Sequence, residues 1–433
     1  MPPPSDVDLG VDVLIIGGGI QGLYLARSLH PRYSLCVVAD PRRPPEDFDA
    51  SGLFSAGYDG NDVVRIQPAR RAAGYWRLWA ETQGVEHDLA PSLVALDPDA
   101  EPERVRLWSD STLVAHPAEA LPGVFAGGSL ADARVWATPN DVVLSPAAVV
   151  AKLRDGLDHR FVWGEVTKFG LITDHDIEFV EVQTMDGSIV PITPRFVVLA
   201  DDVHNGALLQ RLVAMFKDRA KRREATETMR TCQAVRRRTT VTVRGDLEPV
   251  VGTFGGLEIV AHRSDGEVVW LVSPPIDDRQ TVLGPEDARF DPALDAGVVR
   301  ATIDELFAIS PWIARRTDQL RWGVYVARKT EHPMMAVADT SNLAQPAPAR
   351  LESLDMDSFV AAWPSHISYA MIVGDVVAER IEAALGGPVS FAEGLQPRDI
   401  AGEAPPPLLH WQRDDFVWND WATFSSVHGI VTG

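Results

Sequence analysis

Glycines 17, 19 and 22 follow one oily run of the chain, and Asp40 closes the next. The stretch VDVLIIGGGIQGLYLARSLHPRYSLCVVAD carries the spacing G-x-G-x-x-G between a β-branched run at 11–16 and apolar residues at helical intervals over 20–29. Residues of these types at this spacing can hold the diphosphate of a dinucleotide. Gly17 permits a tight turn, Gly19 lets the backbone approach the pyrophosphate, and Gly22 lets helix and strand pack closely. Ile20 and Gln21 open the helix, whose free N–H groups and partial positive charge face the phosphates. Asp40 receives a ribose hydroxyl, which makes NADP, with its 2′-phosphate, the least favoured dinucleotide. No HExxH, CxxC or G-x-S-x-G pattern occurs, so metal or serine hydrolysis has no support and no metal is expected.

The elements around this turn must be a buried parallel strand, a helix and a second strand at 34–39. A proline-rich connection, PRRPPEDFD, follows, and then a helix over 71–82. Residues 91–136 read as short strands broken by proline and glycine, and 145–157 as a helix entered at Ser145-Pro146. Strands are expected at 161–166, 177–183 and 196–200. A meander follows over 240–243, 257–261 and 267–272, with the turn SDG at 264–266. A helix at 298–307 and strands at 321–327 and 358–363 precede a long helix, 367–385, which Gly386 and Gly387 end. The proline- and tryptophan-rich tail is expected to wrap the surface.

The fold class read from this order is mixed α/β. A Rossmann-like nucleotide domain of separated segments (1–90, 145–215 and 328–390) combines with an antiparallel-sheet substrate domain (91–144 and 216–327), and 391–433 is a tail. At 433 residues the chain can bury two cores. A net charge of −21 argues against nucleic acid and anionic membranes as partners. Mean hydropathy is −0.04, and no apolar run is long enough to cross a bilayer. Only two cysteines occur, Cys36 and Cys232, so no disulfide framework is expected and a cytoplasmic location fits. Residues 216–238 concentrate nine Lys and Arg against three acids and read as a solvated helix or loop, with docking of an acidic partner the lesser reading.

From residue 11 to 385 the chain resembles the D-amino acid oxidase and sarcosine oxidase (DAO) family of FAD-dependent oxidoreductases. Beyond the glycine turn the resemblance rests on three stretches. Ser51-Gly52 and Ser55-Ala56-Gly57 stand where the family runs small residues past the flavin. AGYDGNDVVRIQPARRAAGYWRLW places Arg65 at the family's carboxylate-binding arginine, and RWGVYVARKTEHP places Tyr325 at a substrate-facing tyrosine. AAWPSHISYAMIVGDVVAERI stands where a G-H-G-type turn leads into the last helix. The resemblance therefore implies FAD, held by Gly17, Gly19, Ile20, Gln21, Gly22, Asp40, Ser51, Gly52, Ser55, Ala56, Gly57, Val166, Pro364, Ser365, His366 and Ile367. It implies Arg65, Tyr325, His366 and Tyr369 as catalytic residues.

Departures from the pattern shape the expectation. Gly323 stands where a sarcosine oxidase cysteine carries flavin covalently, so non-covalent FAD is expected. Tyr369 replaces a lysine, Asp62 an arginine, and Asp201-Asp202 follow a strand that Ala-Gly commonly ends. Arg65 can hold a carboxylate or serve an interdomain salt bridge, and both readings stay open. Ser365 and His366 can stabilise reduced flavin or simply cap a helix. His332 reads as structural. The expected activity is oxidation of the CH–NH bond of a small amine or amino acid to an imine by hydride transfer to flavin N5, with O2 as acceptor and H2O2 released. The alternatives are a flavin dehydrogenase of a 2-hydroxy acid and a flavin-binding protein without turnover.

Overall fold

The computed structural model describes residues 9–30, 32–58, 63–88, 92–230, 233–274, 281–283, 294–331, 349–364, 366–387 and 406–430. Strand β1 (Leu9–Ile16) runs into the glycine turn, helix α1 (Ile20–Leu29) leaves it, and β2 (Leu35–Ala39) returns beside β1 in parallel, with Val13 opposite Leu35. Helix α2 (Val63–Gln83) starts earlier than the expected residue 71, because Pro68 is accommodated inside it. The long strands β3 (Phe161–Thr173), β4 (Asp176–Thr184) and β5 (Ile189–Leu199) form a meander. Its first strand pairs with β2 and its last with β1, both in parallel. Strands β6 (Ala234–Gly245) and β7 (Arg321–Glu331) are antiparallel partners in a second sheet. Strand β8 (Phe359–Pro364) adds to β5 in parallel, and helix α3 (Ala370–Leu385) follows and stops at Gly386, whose φ is +65°.

Alternation along β1 splits the packing. Val13 and Ile15 face a core shared with α1, α3 and Trp76 of α2, while Leu14 and Ile16 face a second core with Leu209, Leu212 and Phe216. A strand covered on both faces must be apolar throughout, which is why this one reads as an unbroken oily run. Each fully buried aliphatic side chain contributes about 1.5–3 kcal/mol here. The basic helix Arg219–Arg230 is solvated along most of its length but sinks Ala225 and Met229 into the second core. Asp12 accepts from the Ser34 backbone and hydroxyl and pairs with Arg195 at 2.9 Å. Arg195 also donates to the carbonyls of Leu385 and Gly387, so one buried carboxylate ties the strand ends to the terminus of α3.

The second sheet packs Trp270, Trp322 and Phe254 against Ile303 and Leu306 of the helix Ala296–Ile309. Its hairpin turns at Asp265 and Gly266, with φ of +52° and +83°, as the SDG signal requires. The C-terminal segment differs from its surface reading. Leu409 and Trp411 enter the first core, and Trp421 and Phe424 join Trp322 in the core under the second sheet, because aromatic side chains of this size are too costly to leave in water. Among the described residues no helix is long and apolar enough to cross a membrane.

Candidate active site

The glycine turn does what its spacing requires. Gly17 has φ of +129° and lies so close to the Ala200 carbonyl that a Cβ would overlap it, and its N–H donates to Val38 O at 2.9 Å. A Cβ on Gly22 would overlap the Gly17 carbonyl, so helix and strand touch through bare backbone. The N-terminus of α1 opens on a cleft of two adjoining chambers of about 500 and 670 Å³, the open solvent at their mouths included. Glu46, Asp47, Asp202, Pro364 and Ile367 line both chambers.

An anion already stands at this helix end. The carboxylate of Asp47 accepts from the Ile20 N–H at 2.6 Å, and a Cβ on Gly19 would fall 2.5 Å from the same oxygen. Burial pushes this carboxyl up to about 6, against the pull of the Ile20 N–H. Asp47 belongs to a short 3-10 turn, Glu46–Asp49, entered through Pro45. Glu46 pairs with Arg328 of β7, and Asp49 with His410 at 2.8 Å and Arg413 at 3.0 Å. Burial raises the Glu46 carboxyl, as does Asp49, with Arg328 opposing. Asp201, which lines the first chamber, rises to about 7 through burial, and Asp202 is raised by burial and by Asp47, Glu46 and Asp201. Asp202 holds φ of +47°, a backbone shape easier for glycine, and its Oδ1 is buried without a partner among the described residues. Burial, helped by Arg328 and Arg43, holds His204 down to about 4, so the ring is neutral.

The residues named from sequence fall into four groups. Gly19, Gln21, Ser51, Gly52, Pro364, His366 and Ile367 line the two chambers. Gly17, Ile20 and Gly22 build the turn behind them. Asp40 and Val166 border a third, adjoining hollow, where Asp40 is engaged by Arg42 at 2.9 Å and Arg43 at 3.6 Å. Burial works against the ionised form of Asp40, but the hydrogen bonds and charge of Arg42 prevail and hold it below its ordinary value. A ribose hydroxyl reaching Asp40 would share it with these guanidiniums.

A fourth set lies outside the chambers. Ser55 caps the Gly57 N–H at 3.0 Å, and Ala56 donates to Asp141 at 2.6 Å, so this loop braces the site from behind. Tyr325 is covered: its ring stacks on His410 at 4.4 Å and its hydroxyl donates to the Asp49 carbonyl at 3.1 Å. Tyr369 packs against the first core. His366 caps the turn into α3, its Nδ1 accepting from the Ser368 N–H at 3.2 Å and the Ser368 hydroxyl at 2.6 Å. The neutral ring therefore carries its proton on Nε2. Arg65 lies in the first turn of α2, but its side chain, like Ser365, Asp62, Cys232 and His332, falls outside the described residues.

Sequence reasoning passed over Glu46, Asp47, Asp49, Arg238, Arg328, His410 and Arg413. The only local signal was a run of acids just after a double proline, which reads equally well as a solvated turn. The donors fit a diphosphate. Gly19 leaves the space, α1 presents its N–H groups to an anion, and Gln21 is buried at its N-terminus with both amide atoms unpartnered among the described residues.

Residues 12–347 match the family model described as DAO, FAD dependent oxidoreductase, and the chain belongs to that family. It is an oxidoreductase whose cofactor is FAD. A search of curated proteins finds no match. Among solved structures it is similar to the FAD dependent oxidoreductase PA4991 from Pseudomonas aeruginosa, with 20% identity, TM-score 0.64, and 95% of this chain and 98% of that one covered. A glycine oxidase from Geobacillus kaustophilus follows at 17% identity and TM-score 0.59, covering 87% and 95%. The L-alpha-glycerophosphate oxidase from Mycoplasma pneumoniae stands at 13% and 0.63, covering 90% and 98%. These likenesses are of fold.

Phe416 of the C-terminal segment packs against Gly323 so closely that a Cβ there would overlap its ring. Gly323→Cys is therefore expected to unseat Phe416 and lower the melting temperature without forming a flavin bond. After acid precipitation all flavin should be in the supernatant; flavin retained in the pellet would contradict this.

Proposed function

We propose that the chain oxidises the CH–NH bond of an amine, including the amine of an amino acid, to an imine that water hydrolyses, with O2 as the electron acceptor and FAD bound without a covalent link. The observation that carries the reading is the charge of the second chamber. Four carboxyl groups, of Glu46, Asp47, Asp49 and Asp202, line it against two guanidiniums, of Arg238 and Arg328, and the carboxyls of Glu46 and Asp202, raised by burial, ionise when a cation enters beside them. Both guanidiniums have carboxylate partners, Arg238 with Glu258 at 2.6 Å and Arg328 with Glu46. Such walls favour an ammonium group and disfavour the free carboxylate of a 2-hydroxy acid. When bound, FAD supplies the two-electron acceptor. The protein orients the carbon, excludes water, and takes the proton that the ammonium must lose before its C–H bond can break. Asp202 lines this chamber with a carboxyl that burial raises, and in its ionised form, favoured beside a bound ammonium, it takes that proton. The likeness in fold to a glycine oxidase supports the same reading.

Anaerobic addition of a panel of amines and amino acids should bleach the flavin, and air should restore it with release of ammonia or amine. Bleaching by 2-hydroxy acids alone would overturn the proposal. With an amino acid substrate, Arg65→Ala should raise the KM on the order of tenfold to a hundredfold, the loss of a charge-assisted pair, while the KM for a simple amine stays unchanged. An unchanged KM for both would remove Arg65 from the site.

A further inference from the structure

We infer that the turn Glu46–Asp49 is an intrachain stopper of the FAD diphosphate site, and that the cofactor, in displacing it, loosens the C-terminal segment 409–416. The inference rests on the chain's family membership for the identity of the cofactor and on this chain's own residues for the rest. Asp47 takes the Ile20 N–H, a donor that a diphosphate at the first turn of α1 would need, and its carboxylate fills the space that Gly19 leaves. Two anions cannot occupy that position together. A second observation shows that the site is built for more than one carboxylate. Gln21 is only 6% exposed, lines the same chamber, and has neither its amide oxygen nor its amide nitrogen satisfied among the described residues. A buried amide left so is costly, and a larger polar ligand with several acceptor oxygens satisfies it.

The link to the C-terminus is mechanical. A 3-10 turn rises about 2 Å per residue with three residues per turn, so Asp47 cannot withdraw by several ångströms while both its neighbours stay in place. Glu46 is bound to Arg328 on β7. Asp49 holds the C-terminal segment by two bonds and the strand beneath it by a third: its carboxylate accepts from His410 at 2.8 Å and Arg413 at 3.0 Å, and its carbonyl accepts from Tyr325 of β7, whose ring lies under His410. Moving the turn to admit a diphosphate therefore strains the latch over Tyr325. In this view the cover over Tyr325 belongs to the state in which Asp47 plugs α1, and cofactor loading exposes that side of the cleft.

The test uses the full chain stripped of flavin and titrated with FAD, read by quenching of flavin fluorescence, with amide exchange followed over 409–416. Asp47→Ala should bind FAD at least tenfold more tightly than the wild type, and Asp47→Asn, which keeps the volume and so guards against loss of fold, should lie between them. FAD should raise exchange over 409–416 in the wild type. In Asp49→Ala that exchange should be high already, and FAD should add nothing. Equal or weaker FAD binding by both Asp47 variants, or exchange over 409–416 that is unchanged or slowed by FAD in the wild type, overturns the inference alone. Failure of every variant and of the wild type to take up FAD overturns the placement of the cofactor at α1 as well.

Discussion

Gly22→Ala is expected to retain no FAD after desalting and to lose about 3 kcal/mol of stability. The added methyl would overlap the carbonyl of Gly17, and both partners are backbone in a strand–turn–helix unit that is buried on two sides. No side chain can rotate away, so α1 must lift from β1, and overpacking of this kind costs about 1–3 kcal/mol or more. The same movement carries the N-terminus of α1 off the phosphate position, so binding and stability fall together. Gly74→Ala is the control. It lies exposed within α2 with nothing within 4 Å of its would-be Cβ, and alanine there should stabilise by about 0.5–1 kcal/mol and leave FAD uptake unchanged. Denaturant unfolding and flavin content after desalting check both variants. Equal FAD retention by Gly22→Ala and the wild type would contradict the reading of the turn.

The second large effect is expected from Arg328→Met, and it should depend on pH. Arg328 is the guanidinium that offsets the charges of Glu46 and Asp202. The carboxyls of Glu46, Asp47, Asp201 and Asp202 all lie above their ordinary values in the folded chain, Asp47 at about 6 and Asp201 at about 7. The folded state thus holds protons that the unfolded state has released, and stability falls as pH rises through these values. His204 works in the opposite sense, but only between about 4 and 6.5, where the unfolded chain takes up its proton. Above 6.5 the acids decide the slope. Removing Arg328 leaves them uncompensated, so the variant should lose about 3–5 kcal/mol at pH 8 and clearly less at pH 6, where protonation relieves the repulsion. The flavin-free chain is the sample, since bound phosphates would add their own charge. The same loss at both pH values would show that Arg328 acts through packing alone.

What the sequence showed most clearly was whatever depends on neighbours along the chain. The glycine turn, the strand ending at Asp40, the SDG hairpin and the Gly386 stop each rest on local backbone demands, and each stands as read. Pro68 disguised the start of α2, since a proline normally argues for a break and here sits within the helix. The acid turn was opaque for a different reason. Asp47 and Ile20 are 27 residues apart and Asp49 and His410 are 361 apart, so nothing in PRRPPEDFD reveals that two of its acids point inward to such partners. The same distance hid the cover over Tyr325. A family position placed that tyrosine by the substrate, yet the segment lying on it belongs to the proline- and tryptophan-rich tail, which the sequence suggests should wrap the surface.

The central claim is that bare backbone at the start of α1 holds the diphosphate of a non-covalent FAD. The most direct measurement is the absorption spectrum of the purified chain after incubation with FAD at pH 6 and desalting, followed by that of the supernatant after acid precipitation. The account predicts a yellow protein whose flavin passes entirely into the supernatant as FAD. A colourless protein, or flavin retained by Gly22→Ala as fully as by the wild type, would contradict it.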